Sequence, residues 1–293
     1  MKSIVTGATG FLGQHLARVL LLQGDEVTIV HRSSSAHNPI LDEMKERGAT
    51  IALYENLDEM DTLVRRARPD RVFHLATLYM REHGPTDIEK LVEANVTFGA
   101  RLLESVVGLN CVVVSTMSYF QFRNGEPSSF SLYSATKQAF LDIANYYLLV
   151  KGLDVRNVIL FDTFGPCDTR DKLIPRLLDA AAEGSRIDMG TSAQLLNLLY
   201  VDDVVAGLVA AAAPESGALV SLRSTEETTV AELVRTVERA GDRTIQKSYN
   251  EDQRPNPLVR EAGVWPSPDG WVPQVPLRDG IERSWAWRLR HER

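Results

Sequence analysis

Between a short β-branched run and an apolar helical pattern stand eight residues, Thr6-Gly7-Ala8-Thr9-Gly10-Phe11-Leu12-Gly13. A strand that turns at once into a helix uses one glycine for the tight turn. A second glycine admits a pyrophosphate close to the backbone, and a third lets helix and strand pack closely. The N–H groups at the helix start then meet phosphate charge. Spacing and context together imply a dinucleotide site at the head of an α/β sheet. Further β-branched or apolar runs predict strands over Ser3–Thr6, Glu26–Val30, Thr50–Tyr54, Arg71–Leu75, Cys111–Ser115 and Val155–Phe161. The stretches Leu12–Gln23, Asp58–Ala67, Ile88–Val107 and Ser134–Lys151 read as helices. Strands alternating with helices make βαβ units and therefore a parallel sheet. The expectation is an α/β chain with a Rossmann-type, doubly wound parallel sheet over residues 1–165.

After Gly165-Pro166 the pattern changes. A helix over Leu173–Glu183, a strand over Leu198–Val201 and a helix over Val204–Ala213 are predicted. Segment 198–213 is expected to return to the first domain. Beyond it, Pro255, Pro257, Pro266, Pro268, Pro273 and Pro276 argue for loops rather than regular sheet. Residues 166–293 thus read as a smaller, mainly substrate-binding lobe.

Composition narrows the partners. With 32 Lys+Arg against 39 Asp+Glu, the net charge of −7 argues against nucleic acid. Cys111 and Cys167 are too few for a metal cluster or a disulfide framework, and Cys111 reads as a small buried hydrophobe. No apolar run approaches the roughly 20 residues of a membrane span. Met1 leads straight into a strand-like run without an apolar leader, so a cytoplasmic protein is expected.

Two further sites carry chemistry. At the end of the second strand, His31-Arg32 stands where an NAD-preferring site presents a carboxylate to the ribose 2′-hydroxyl. A guanidinium can instead bind a 2′-phosphate through a charge-assisted fork, which favours NADPH. Farther on, Tyr133 and Lys137 stand four apart and so share one helical face. A tyrosine with its usual pKa near 10 exchanges protons poorly at neutral pH, and a neighbouring ammonium lowers that pKa. His74 falls inside a buried strand and reads as a hydrogen-bonded core residue.

Taken together, these motifs resemble the extended short-chain dehydrogenase/reductases that act on nucleotide sugars. The resemblance spans nearly the whole chain. Its carriers are the glycine loop, Phe73-His74-Leu75-Ala76, Asn95-Val96, Ser115-Thr116, Tyr133/Lys137, Phe164-Gly165-Pro166, Tyr200-Val201-Asp202-Asp203-Val204 and Trp271-Val272-Pro273…Leu277…Gly280-Ile281. It implies that Thr116 and Tyr133 hold the substrate carbonyl oxygen, with Tyr133 as proton donor or acceptor. Lys137 then binds the nicotinamide ribose and tunes Tyr133. Cofactor contacts are implied for Gly7, Thr9, Gly10, Phe11, Leu12, Gly13, His31, Arg32, Asn56, Leu57, Leu75, Ala76, Thr77 and Asn95. For Asn95, an ordinary helix amide bonded to backbone is an equal reading.

Departures from the family pattern select among its activities. Dehydratases of this group carry Asp-Glu after the active-site threonine, where this chain has Met117-Ser118. The NAD-retaining epimerases usually have aspartate at position 31. The usual Phe-Asn appears as Phe161-Asp162, and an arginine common five residues before Val201 is Leu196. Asp162, Lys172, Arg176 and Arg254 remain as candidate substrate contacts. The stretches 171–178 and 194–200 look most like reductases of CDP- or dTDP-linked 4-keto-6-deoxy sugars. The expected activity is therefore NADPH-dependent 4-ketoreduction of a nucleotide sugar, by a homodimer paired through the helices at 88–107 and 134–151. Nucleotide-sugar epimerisation, reduction of a non-nucleotide carbonyl and a non-catalytic dinucleotide sensor are the alternatives.

Overall fold

Six apolar runs form the body of one sheet: β1 (Lys2–Thr6), β2 (Glu26–Arg32), β3 (Thr50–Tyr54), β4 (Arg71–His74), β5 (Val112–Ser118) and β6 (Asp154–Leu160). A computed structural model describes residues 1–35 and 37–291, with Leu258 described by its backbone alone. The sheet has seven strands, running β3-β2-β1-β4-β5-β6 with Leu219–Leu222 at the far edge. The pairs β2/β3, β1/β2, β1/β4, β4/β5 and β5/β6 are all parallel. All four residues of β4 are buried, as expected for a parallel strand covered on both faces. The chain order reverses between β1 and β4, which places a crevice at the carboxyl ends of those two strands.

The helices that follow the strands are α1 (Phe11–Leu22), α2 (Pro39–Glu46), α3 (Met60–Ala67), α4 (Ile88–Val92), α5 (Phe98–Ser105) and α6 (Leu132–Leu149). Helix α1 turns Leu16, Ala17 and Leu20 fully inward. Two boundaries differ from the sequence reading in a way that matters. Strand β5 runs on to Ser118, carrying Thr116 inside it. The single helix expected over Ile88–Val107 is interrupted by a π-helical turn, Glu93–Thr97, centred on the buried Asn95. A π-helical turn replaces the i→i+4 backbone bonds of the α-helix by i→i+5 bonds, and it is this wider turn that buries Asn95.

The chain forms two units. The first contains Met1–Leu160, Val205–Ser221 and Ala262–Trp271, so of the expected segment 198–213 only the part from Val205 onward belongs to it, and a piece of the tail joins as well. The second contains Phe161–Val204, Leu222–Glu261 and the chain from Val272 onward. In the second unit, Asp162–Phe164 pairs in parallel with Leu198–Tyr200. Helices α7 (Leu173–Glu183), α9 (Val230–Gly241) and α10 (Leu277–Arg290) supply Leu177, Leu233, Val234, Val237, Ile281 and Trp285 to its core; α8 spans Val201–Ala211. The proline-rich tail therefore ends in a regular helix, where loops were expected. Pro276 sits at its N-cap, a position that needs no backbone N–H. Arg288 ties the helix to Asp179 at 2.6 Å and Glu183 at 2.8 Å on α7.

At the amino ends of the central strands lies a buried ion pair. Arg71 Nη2 is 2.6 Å from Asp25 Oδ2, with the side chains 8% and 6% exposed. Ser3 Oγ donates to the same carboxylate at 2.5 Å and accepts from Arg71 Nε at 2.9 Å. Removing one partner strands the other charge inside the protein. Asp25→Ala is expected to cost about 3–5 kcal/mol in denaturant unfolding. Asp61→Ala, which breaks only the exposed Arg65–Asp61 pair, should cost about 1 kcal/mol or less.

Candidate active site

The turn from β1 into α1 is built on contact. Gly7 has φ +73°, and a Cβ there would lie 2.6 Å from the Ala76 backbone nitrogen. A Cβ on Gly13 would lie 2.1 Å from the Gly7 carbonyl oxygen. Side chains at either position would force the turn away from β4 or the helix away from the strand. Gly10 caps α1 without any side-chain hydrogen bond, and the first turn holds no acidic residue. The positive end of the helix dipole is thus left for an anion. Phe11 is buried; Thr9 and Leu12 are half-buried.

Beside the turn, Thr6 Oγ1 accepts the Ala76 N–H at 3.2 Å and lies 2.9 Å from His74 Nδ1. Burial first, then the charge of Lys137, pushes the His74 pKa down to about 3, so the ring is neutral. Leu75 is buried, Ala76 half-buried and Thr77 exposed as the chain leaves β4. Strand β2 extends through His31 and Arg32. His31 is buried, with Nδ1 at 3.1 Å from the Arg32 carbonyl, while the Arg32 side chain reaches solvent. Asn56 is exposed and caps a short turn: its Oδ1 accepts the Asp58 N–H and its Nδ2 donates to Glu59. Leu57 next to it is half-buried. A side-chain-free cradle at a helix start, with an arginine ending the next strand, fits a nicotinamide dinucleotide.

The catalytic candidates lie on β5 and α6. Thr116 is 6% exposed and pairs with Val158. Met117 and Ser118 come next, both buried; the Ser118 hydroxyl caps the adjoining turn by accepting from Phe120 N–H at 3.3 Å. Helix α6 starts at a Ser131/Ser134 capping box, which fixes where its first turn presents Tyr133. Tyr133 is half-buried, and the Tyr79 ring meets it edge-on at 5.0 Å. One turn later Lys137 is 3% exposed, with its ammonium 5.8 Å from the Phe140 ring centre. Desolvation lowers its pKa to about 8. Among the described residues no carboxylate pairs with it.

Asn95 links these parts. Its Oδ1 accepts from Leu78 N–H at 2.7 Å and from Thr77 Oγ1 at 3.0 Å. Its Nδ2 donates to the Leu78 carbonyl at 2.9 Å and to Thr136 Oγ1 at 3.0 Å. Thr136 in turn donates to the Tyr133 carbonyl at 2.8 Å. The amide expected at the cofactor is therefore committed to the chain, joining the segment after β4 to the helix that bears Tyr133 and Lys137.

In the second unit, Asp162 lies 3.7 Å from Lys172 Nζ, and its N–H donates to the Asn197 carbonyl. Arg176 lies 3.8 Å from the exposed Asp171, and Arg254 stands in an exposed loop. The sequence reading passed over Asn197, which is wholly buried, and Arg223, which lies over the Phe161 ring at 5.1 Å. Neither belongs to a motif with a spacing of its own; only the tertiary packing marks them.

Comparison with known proteins places this geometry. The model of the NAD dependent epimerase/dehydratase family matches residues 3–220. The chain is 28% identical over 208 residues to CDP-abequose synthase of Salmonella typhimurium, covering 69% of this chain and 67% of that protein. It is 29% identical over 317 residues to dTDP-glucose 4,6-dehydratase of Streptomyces griseus, covering 98% and 94%. Among solved structures, UDP-glucuronic acid 4-epimerase from Bacillus cereus, in complex with UDP-glucuronic acid and NAD, superposes with a TM-score of 0.84. At 19% identity over 99% of each chain, that likeness shows the fold. The matched span runs from the first strand to the far edge of the sheet and includes the glycine cradle, Thr116, Tyr133 and Lys137. The chain therefore belongs to the NAD dependent epimerase/dehydratase family.

Proposed function

We propose that this chain is an enzyme acting on a nucleotide sugar, and specifically an NADPH-dependent reductase of the 4-keto group of a CDP- or dTDP-linked 4-keto-6-deoxy sugar. The observation that carries the choice of reaction is the residue pair directly after Thr116. Met117 and Ser118 are buried in β5, and neither supplies the carboxylate pair that elimination of water requires. Tyr133 and Lys137 are then the proton-handling groups, which is what carbonyl reduction needs. Arg32 supports NADPH, because it offers a guanidinium where a ribose 2′-phosphate would lie and no carboxylate replaces it.

The cofactor, when bound, supplies the hydride. The chain supplies position and the proton. Gly7, Gly10 and Gly13 would leave room for its diphosphate, His31 and Arg32 would border its adenosine end, and Leu75, Ala76 and Thr77 would lie along it. Thr116 and Tyr133 donate hydrogen bonds to the ketone oxygen, so negative charge developing there is stabilised. Tyr133 then gives its proton to that oxygen. Lys137, charged and without a carboxylate partner among the described residues, favours the phenolate left behind.

Loss of reduced-nicotinamide absorbance on adding CDP- or dTDP-4-keto-6-deoxy sugar tests the reaction, and its stoichiometry separates reduction from epimerisation. Tyr133→Phe should lower kcat by about 10²–10⁴-fold with NADPH affinity retained. Near-wild-type turnover would remove Tyr133 from the mechanism. Arg32→Asp should weaken NADPH by about tenfold or more relative to NADH.

Lys137 also carries a pH signature. Its folded pKa of about 8 lies below the ordinary lysine value of 10.5, so the folded state holds fewer protons between those two values. Stability therefore rises with pH through that window, and the penalty for burying the charge is complete below pH 8. Lys137→Met should be inactive yet melt higher than wild type at pH 7, and the gap should close toward pH 10.5.

A homodimer belongs to the same reading. Ile88 and Val92 on α4, with Tyr146 and Leu149 near the end of α6, are exposed apolar residues. Leu149, 80% exposed, is the sharpest probe. Leu149→Glu should shift the mass measured by light scattering from dimer to monomer.

A further inference from the structure

Glu227, in the second unit, is a carboxylate shared by two guanidinium groups. Its Oε1 accepts from Arg223 Nη2 at 2.7 Å, and its Oε2 accepts from Arg260 Nε at 3.1 Å. One carboxylate is thus divided between two cations. Arg223 is held more firmly than a surface arginine. Its guanidinium carbon lies 5.1 Å from the centre of the Phe161 ring, which is itself 4% exposed.

The loop that bears Arg223 is also pinned. The buried amide of Asn197 accepts the Ser224 N–H at 2.9 Å and donates to the carbonyls of Ser224 at 2.9 Å and Glu226 at 3.4 Å. The Asn197 carbonyl accepts the Asp162 N–H at 3.2 Å, so Arg223 shares one frame with Phe161-Asp162. Arg223 Nε and Nη1 make no hydrogen bond to the described residues, and the side chain is 29% exposed. It is a pre-oriented fork with one side still open.

The geometry points to a diphosphate-binding subsite formed by Arg223, with Arg260 beside it, that recognises the diphosphate of a nucleoside-diphosphate sugar. This rests on the nucleotide-sugar reading above and answers a question that reading leaves open. Leu196 provides no cation, Lys172 faces Asp162, and Arg176 faces Asp171. A planar guanidinium held on an aromatic ring loses little freedom on binding and matches two phosphoryl oxygens at once. Glu227 sets the orientation of both arginines and tempers their charge, which allows the diphosphate to leave after turnover.

The test is calorimetric titration of the full-length chain, saturated with NADP⁺, with CDP, dTDP and UDP. Arg223→Gln should weaken the diphosphates by about tenfold or more, leave NADP⁺ affinity unchanged and raise KM for the sugar nucleotide more than it lowers kcat. Arg223→Lys should restore only part of the loss, because an ammonium lacks the fork. Glu227→Gln keeps an acceptor oxygen and removes one negative charge, so it should tighten the diphosphates. Unchanged diphosphate affinity in a normally melting Arg223→Gln protein overturns the proposal. If that variant melts early, Glu227→Gln decides: unchanged or weaker binding overturns it. If wild type binds none of the three diphosphates, the nucleotide-sugar reading itself fails.

Discussion

The cofactor end of the first unit depends on how closely two pieces of backbone approach. Gly7 sits so near Ala76, and Gly13 so near the carbonyl of Gly7, that neither position has room for a methyl group. That contact joins the end of β1 to the chain leaving β4, at the point where strand order reverses. It brings the Ala76 N–H onto Thr6 Oγ1 and sets Thr6 against His74. It also starts α1 with its amide end open. The side-chain-free turn and the close packing at the carboxyl ends of the central strands are therefore the same construction.

From there a run of polar contacts leads to α6. Asn95 spends its whole amide on Thr77, Leu78 and Thr136, and Thr136 bonds back to Tyr133 within α6. Such a fully satisfied buried amide favours one arrangement over its alternatives, because any slip would leave polar atoms unpaired. The same region keeps two groups that burial penalises, a neutral His74 and the Lys137 ammonium. Holding a cation there costs stability, which functional sites commonly sacrifice.

Much of this was legible in the chain itself, for identifiable reasons. The glycine triplet, Thr116 and the Tyr133/Lys137 pair belong to local patterns: a turn, a strand end and one helical turn. Spacing puts Tyr133 and Lys137 on one helical face, while the part expected of Thr116 comes from the family resemblance. The strands were legible because parallel strands covered on both faces are short β-branched runs. The illegible features were non-local. The π-helical turn at Glu93–Thr97 holds Asn95, whose partners lie 17, 18 and 41 residues away. Prolines at 273 and 276 pointed to loops, yet Pro276 stands at the start of a helix whose ion pairs reach residues more than a hundred positions back. The tail's entry into the first unit over Ala262–Trp271 likewise left no local mark.

The sequence by itself determined the fold class, through short-range patterns, and the family resemblance, through the order of its motifs along the chain; it marked the glycine turn and the Tyr133/Lys137 pair as candidate sites. Tertiary structure alone decided which polar groups are committed and which remain open. It turned Asn95 from a candidate ligand into a tie and paired Lys172 with Asp162. It also set Arg223 on Phe161 with half its fork unspent. The physical reason is that hydrogen-bond satisfaction and desolvation depend on neighbours brought together by folding, and no spacing along the chain records them.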